Sequence, residues 1–119
     1  MMCQQQGLFV CDSVAKRFTY NSADEIENIF FENLGGAVDF VFLQSQKISL
    51  WMQCNTIDGA PAKFNSIATR IWTDEQCWLG TPHLCENFFG NAIFLGNVDC
   101  VGSVHGLSDY EIDFLESFL

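Results

Sequence analysis

The hydrophobic pattern of this 119-residue chain changes its period at Gly35-Gly36. Before the two glycines, apolar residues recur at the spacing of a helix, at Ile26, Ile29, Phe30 and Leu34. After them, apolar residues alternate along the chain, which is typical of β-strands. A helix followed directly by strands limits the fold to the classes that combine both kinds of element.

The helix carries signals at both of its ends. Ser22 and Glu25 form a capping box, in which the Ser side chain accepts from amides of the first turn and the Glu side chain reaches back. Asp24 and Glu25 also suit the positive end of the helix dipole. Gly35 follows the last apolar residue, as expected where a helix ends. These signals predict a helix over 22–34.

Two strands are predicted after the glycines. In AVDFVFLQ, residues 37–44, both alternating faces are largely apolar, which favours a central strand that is covered on both sides. In KISLWMQCN, residues 47–55, the alternation is more regular. The short interval at Ser45-Gln46 predicts that the two strands form a tight antiparallel hairpin.

Residues 61–72 fit two patterns. Pro61 suits a first helical turn. Helical spacing is kept by Phe64, Ile67, Ala68, Ile71 and Trp72. The stretch SIATRIW, residues 66–72, also alternates and contains β-branched residues, as a strand would. We favour the helix, and the strand remains the alternative.

The chain after residue 80 shows signals for a short helix and a second hairpin. Thr81 suits the N-cap and Pro82 the first position of the helix. AIFLGN, residues 92–97, and DCVGSVH, residues 99–105, predict a hairpin that turns at Gly96-Asn97.

A second capped helix is predicted at the end of the sequence. Ser108 and Glu111 form another capping box, and the apolar residues that follow share one side of a helix over 108–118. Together these elements predict a single α+β domain over 1–119. We expect an antiparallel sheet of four to five strands, with the helices at 22–34 and 108–118 packed on one face. Regular strand–helix alternation is absent, which excludes a doubly wound parallel sheet.

The charge of the chain excludes several classes of partner. Fifteen acidic residues against five basic ones give a formal net charge of −10. Phosphate contacts need clustered Lys and Arg, so neither nucleic acid nor an anionic membrane surface is an expected partner. No run of about 18 apolar residues is present, and the first 13 residues lack the features of a secretory signal. We therefore expect a cytoplasmic protein.

Six cysteines raise the questions of disulfides, metal and nucleophilic chemistry. Without a secretory signal, we expect them to be free thiols buried in the core. Close ligand pairs are missing from the sequence, so we expect no metal. The weak alternative is a site drawn from Cys77, His83, Cys85, Cys100 and His105, with CWLGTPHLC, residues 77–85, as its centre. Cys85 as a nucleophile beside His83 is a second weak alternative. No cofactor motif is present and no catalytic residue is assigned.

Three acids of the last predicted helix form a stripe. Asp109, Asp113 and Glu116 stand at i, i+4 and i+7, and no Lys or Arg accompanies them between residues 105 and 119. Like charges at this spacing repel by roughly 0.2–0.5 kcal/mol per pair. The stripe therefore predicts a surface that binds a basic protein partner. The alternative is a helix face that is simply hydrated.

The aromatic content is high for a domain of this size, with twelve Phe and three Trp. If one face of the predicted sheet is open, Trp51 with Trp72 or Trp78 could wall a ligand pocket. The alternative is that a helix covers the sheet at Trp51. Apolar surface that one small core cannot hide also predicts a homodimer, with the acidic stripe left outside its interface.

Two functions from different classes follow. The first is a small acidic binding protein without enzymatic activity, such as an inhibitor or immunity-type module that acts on a basic protein. The alternative is a small-molecule-binding α+β domain with an aromatic-lined pocket, possibly catalytic. We expect the first, because the sequence contains no motif for chemistry.

Overall fold

The computed structural model describes residues 4–11, 14–35, 38–53, 63–99 and 103–119. Over these residues the chain has an α+β fold with a five-stranded antiparallel sheet and three α-helices. The elements in chain order are β1 Gln5–Cys11, β2 Val14–Tyr20, α1 Ala23–Leu34, β3 Val38–Leu43, β4 Ile48–Gln53, α2 Ser66–Trp78, β5 Ala92–Leu95 and α3 Asp109–Glu116, with a 3-10 turn at Pro82–Leu84 between α2 and β5. No helix in these ranges is long and apolar enough to cross a membrane.

β5 lies at the centre of the sheet, whose strand order is β2-β1-β5-β4-β3. It pairs antiparallel with β1 on one side and with β4 on the other. Phe94 stands opposite both Leu8 and Leu50, and all three side chains are buried. β5 therefore joins two hairpins, β1–β2 and β3–β4, that are far apart in the sequence.

The two faces of the sheet carry separate hydrophobic clusters. Ile93 and Leu95 pack with Ile26, Phe30 and Leu34 of α1. On the opposite face, the cluster contains Ala92 and Phe94 together with residues of α2 and α3. The prediction that the first and last helices share one face is therefore wrong. A central strand that is apolar on both sides has to be covered on both sides, so α1 and α3 lie on opposite faces.

α1 forms as its end signals predict. The Ser22 side chain accepts a hydrogen bond from the Glu25 amide at 3.2 Å. The Glu25 carboxylate accepts from the Asn21 amide at 2.6 Å, one residue earlier than in a standard capping box. Gly35 ends the helix with φ of 81°, a conformation in which glycine carries no side-chain penalty.

The β3–β4 hairpin is confirmed, but its details differ from the prediction. Its turn spans residues 44–47 and includes Lys47 at φ 55°, so it is longer than two residues. β3 lies at the edge of the sheet, not at its centre. Both of its faces are apolar because the two-sided helical cover extends to this edge, where Val41 packs with the α2–α3 cluster and Val38 with the α1 cluster.

The ambiguous segment is helical, as favoured, but α2 begins at Ser66 and continues to Trp78. Pro61 lies outside the described residues. The N-cap is Asn65, which is fully buried and accepts from the Ala68 amide at 3.0 Å. Its side-chain amide donates to the carbonyls of Val10 and Gly90 at 3.1 and 2.8 Å. This one side chain therefore ties the start of α2 to β1 and to the segment before β5.

The remaining predictions for residues 81–105 hold in part. The short helix is a single 3-10 turn, and Thr81 makes no side-chain cap. The chain does not reverse at Gly96-Asn97. The Gly96 amide donates to the His105 carbonyl and the His105 amide to the Asn97 carbonyl, both at 2.8 Å, so residues 96–98 continue past the predicted turn and run antiparallel to residues 104–105. A Cβ on Gly96 would lie 2.5 Å from the Gly106 carbonyl oxygen, so this close approach requires glycine.

Candidate functional site

A cleft of about 610 Å³ lies between α1 and the sheet. We call it the α1 cleft. Tyr20 at the end of β2, Trp51 of β4 and the segment 103–105 bound it opposite the helix. Its apolar lining consists of Tyr20, Ala23, Ile26, Phe30, Val38, Trp51 and Val104, and its polar lining of Gln5, Asn21, Ser22, Glu27, Ser103 and His105. An apolar wall with a few polar groups is the usual composition of a ligand site.

Trp51 is held rigidly in the wall of the α1 cleft. Its ring stacks on Phe30 of α1 at a centroid distance of 4.8 Å and on Phe40 of β3 at 4.5 Å. The indole Nε1 donates to Ser49 Oγ at 2.8 Å, and the buried Ser49 hydroxyl donates in turn to the Gly96 carbonyl at 2.8 Å. The two stacked rings and the hydrogen bond of the N–H group therefore fix the position of Trp51 in the wall of the cleft.

Tyr20 carries the unusual polar group of the site. The residue is 3% exposed, and its hydroxyl is buried with no hydrogen-bond partner among the described residues. Burial raises the pKa of the Tyr20 hydroxyl, so the phenol stays neutral and keeps its proton at physiological pH. A buried hydroxyl without a partner costs about 1–3 kcal/mol relative to a satisfied one.

The rim of the α1 cleft contains one ordered polar cluster. His105 Nε2 lies 3.4 Å from Asp99 Oδ2, and Asp99 Oδ1 accepts from the Ser103 amide at 2.9 Å. Gln5 Oε1 accepts from the Gly106 amide at 2.8 Å, which fixes the 103–107 segment to β1. Glu27 stands on the exposed side of α1. Lys and Arg are absent from the described lining.

The structure does not bring the three predicted ligand-binding tryptophans together. Trp51 lines the α1 cleft, where α1 covers the sheet as the alternative interpretation expected. Trp72 lies in the cluster on the opposite face, packs edge-on against Phe88 and donates to the Leu84 carbonyl at 3.0 Å. Trp78 is 76% exposed at the end of α2. A single pocket walled by Trp51 with either of the others is not formed, and a ligand role for Trp72 or Trp78 stays a prediction.

The acidic stripe has a counter-charge that its own segment does not supply. Arg17 of β2 donates through Nε to Glu116 Oε2 at 3.0 Å and through Nη2 to Glu116 Oε1 at 2.5 Å. The same guanidinium lies 3.7 Å from Asp113 Oδ1. Asp109 accepts from the Gln6 side-chain amide at 2.8 Å. The hydrogen bond from Arg17 lowers the pKa of Glu116. Each member of the stripe is thus attached to the β1–β2 hairpin.

Three cysteines fall within the described residues, and all are free thiols. Cys11 and Cys85 are partly buried, whereas Cys77 is exposed, so the prediction of core burial is wrong for Cys77. Cys3, Cys54 and Cys100 lie outside the described residues. His83 is exposed on the 3-10 turn, and the described residues contain no group of three side chains that could hold a metal ion.

Tyr20 and His105 were not predicted as parts of one site. Tyr20 ends the strand β2, which the sequence patterns do not predict, and His105 is expected only as a weak candidate for a metal ligand. The alternation of Phe18 and Tyr20, which both lie in the α1 cluster, is the signal that could have identified this strand. Nothing in the sequence reports that the Tyr20 hydroxyl has no partner.

The chain matches no family model, no curated protein and no solved structure. Its function therefore has to be inferred from the α1 cleft and from the surfaces of the helices.

The pairing of Arg17 with Glu116 predicts a stability that depends on salt and pH. Replacing Arg17 with Gln should lower the melting temperature at neutral pH and low salt, and the deficit should shrink in 0.5 M salt because screening weakens exposed ion pairs. The pKa of Glu116 is lower in the folded than in the unfolded chain. The stabilisation is therefore complete above the unfolded value of about 4.3 and disappears as pH falls through the folded value.

Thermal melts of the Arg17→Gln variant across pH and salt check this prediction. Lys16→Gln is the matched control, because it removes the same charge from the neighbouring exposed position of β2. An Arg17→Gln deficit that is no larger than that of the control, or that does not shrink as the pH is lowered from the unfolded value of about 4.3 through the folded pKa of Glu116, contradicts the pairing.

Proposed function

We propose that this protein is a small-molecule-binding domain and that its site is the α1 cleft. The volume of about 610 Å³ lies within the range of roughly 300–1,000 Å³ that is typical of ligand pockets. The wall combines seven apolar or aromatic residues with six polar ones, so it can both bury an apolar ligand and orient it.

The observation that carries the proposal is the buried Tyr20 hydroxyl. Phe in its place would fill nearly the same volume without leaving a polar group unpaired, so the hydroxyl lowers the stability of the folded chain. A ligand that enters between Tyr20 and α1 can supply the missing acceptor. The hydroxyl then lowers the stability of the free protein but contributes a hydrogen bond to the free energy of ligand binding.

The rigidity of Trp51 supports the same proposal. Its position is fixed by two stacked rings and by the hydrogen-bonded chain through Ser49 to Gly96. A wall that is already in place loses little side-chain entropy when a ligand binds. The α1 cleft is in this respect preorganised.

The other predicted function, that of a small acidic binding protein for a basic partner, receives less support. A basic partner at Asp113 and Glu116 would compete with Arg17, which already neutralises part of the stripe. A partner role for Asp109, Asp113 and Glu116 stays a prediction, and so does a basic protein as the partner.

The Tyr20→Phe variant separates binding from stability. We expect its free energy of unfolding to rise by about 1 kcal/mol, because an unpaired buried hydroxyl is removed. We expect its affinity for neutral bicyclic aromatic carbonyl compounds, with 7-methylcoumarin as the reference probe, to fall about 3- to 10-fold, because one hydrogen bond is lost. Denaturant unfolding and isothermal titration calorimetry measure the two quantities.

Tyr110→Phe is the control, because Tyr110 is 74% exposed on α3 and should affect neither quantity. The proposal fails if none of the neutral bicyclic aromatic carbonyl compounds binds saturably to the wild-type protein. It also fails if the Tyr20→Phe variant binds these compounds as tightly as the wild-type protein does.

The predicted homodimer is supported by exposed apolar side chains at the end of α2 and in the 3-10 turn that follows it. Trp78 is 76% exposed and Leu84 is 51% exposed. Light scattering at micromolar concentration in physiological salt should give twice the chain mass of 13.4 kDa. The double variant Trp78→Gln and Leu84→Gln should shift the mass toward the monomer, because less apolar area is buried. A wild-type mass of 13.4 kDa contradicts the prediction.

A further inference from the structure

We propose that the α1 cleft selects ligands in which a positively charged amine is attached to a flat apolar body, and that it rejects anions. This inference rests on the proposed function of the cleft. It concerns the charge of the ligand, which neither the aromatic wall nor the Tyr20 hydroxyl determines.

The charged groups around the α1 cleft are predominantly acidic. α1 carries Asp24, Glu25, Glu27 and Glu32 and no Lys or Arg. Glu27 belongs to the lining itself, and the described lining contains no Lys or Arg. His105, the remaining lining residue that can become positive, already stands beside Asp99 at 3.4 Å. An anion in the cleft would therefore meet a negative wall without a fixed positive partner.

The N-terminus of α1 is the feature that could favour an anion, because helix N-termini carry a partial positive charge. Here that charge is already balanced. Asp24 and Glu25 lie in the first turn, the Ser22 hydroxyl accepts from the Glu25 amide, and the Glu25 carboxylate accepts from the Asn21 amide. The helix end is thus closed by the protein's own carboxylates and leaves Glu27 as the uncompensated charge of the lining.

An amine could be selected either by the Glu27 carboxylate or by a cation–π contact with an aromatic ring. A cation over an aromatic ring needs a free ring face. The Trp51 ring already stacks on Phe30 and Phe40, and these contacts compete with a cation for its faces. The preference for amines should therefore depend on Glu27 and on ionic strength, and it should survive changes that leave the charge of α1 intact.

Three probes that share one ring system test the inference: 7-methylcoumarin, which is neutral, its 7-aminomethyl analogue, which is a cation, and coumarin-7-carboxylate. At low salt, we expect the cation to bind the wild-type protein about tenfold more tightly than the neutral probe, the effect of one carboxylate at a partly exposed site. The anion should bind more weakly than the neutral probe. The preference should shrink several-fold at 0.3 M salt.

Glu27→Gln should bring the cation to the affinity of the neutral probe. Glu32→Gln is the matched control, since it removes the same charge from an exposed position of the same helix that is not part of the cleft lining, and it should keep most of the preference. The neutral probe reports on the proposed function and the cation on the further inference. Equal affinity for the neutral and cationic probes, or tighter binding of the anion, overturns the inference and leaves the proposed function standing. Failure of all three probes to bind overturns both.

Discussion

β5 has to be covered on both of its faces, and the rest of the structure follows from this constraint. Its four residues are buried, and it joins the two hairpins into one sheet. Of the three described helices, α2 and α3 cover one face of the sheet and α1 covers the other. Five strands about 4.8 Å apart span about 19 Å, while one helix is about 10 Å wide. A single helix therefore leaves part of this face of the sheet open. The α1 cleft occupies the open part.

Tyr20 differs from the buried polar residues Asn65 and Ser49 in that its polar group has no hydrogen-bond partner in the part of the chain that the structure describes. Asn65 uses its side chain for three hydrogen bonds, and Ser49 both accepts from Trp51 and donates to Gly96. These groups are satisfied because an unpaired buried polar atom is costly. The Tyr20 hydroxyl has no such partner among the described residues. The Tyr20 residue belongs to the lining of the α1 cleft, and we propose that a ligand supplies the partner that its hydroxyl lacks.

Local signals made α1 and the β3–β4 hairpin predictable, because caps, glycines and alternation act over a few residues. The β1–β2 hairpin had no comparable signal: β2 is an edge strand, and its exposed Lys16 and Arg17 interrupt the apolar pattern. The position of β3 and the separation of Trp51 from Trp72 depend on which strand becomes central, and that is decided by pairing with β5. The Arg17–Glu116 contact joins residues 99 positions apart, so the stripe seemed unpaired in the sequence. Of the candidate site, only Trp51 was foreseen.

The three indole N–H groups offer the most direct test that ligands bind under α1, because each tryptophan lies in a different place. Proton–nitrogen correlation NMR spectra, assigned with Trp72→Phe and Trp78→Phe variants, can follow all three signals during titration with 7-(aminomethyl)coumarin. We expect a saturable shift of the Trp51 signal, whereas the signals of Trp72 and Trp78 should stay unchanged. Saturable binding that shifts the Trp72 or Trp78 signal and leaves Trp51 unmoved would contradict it.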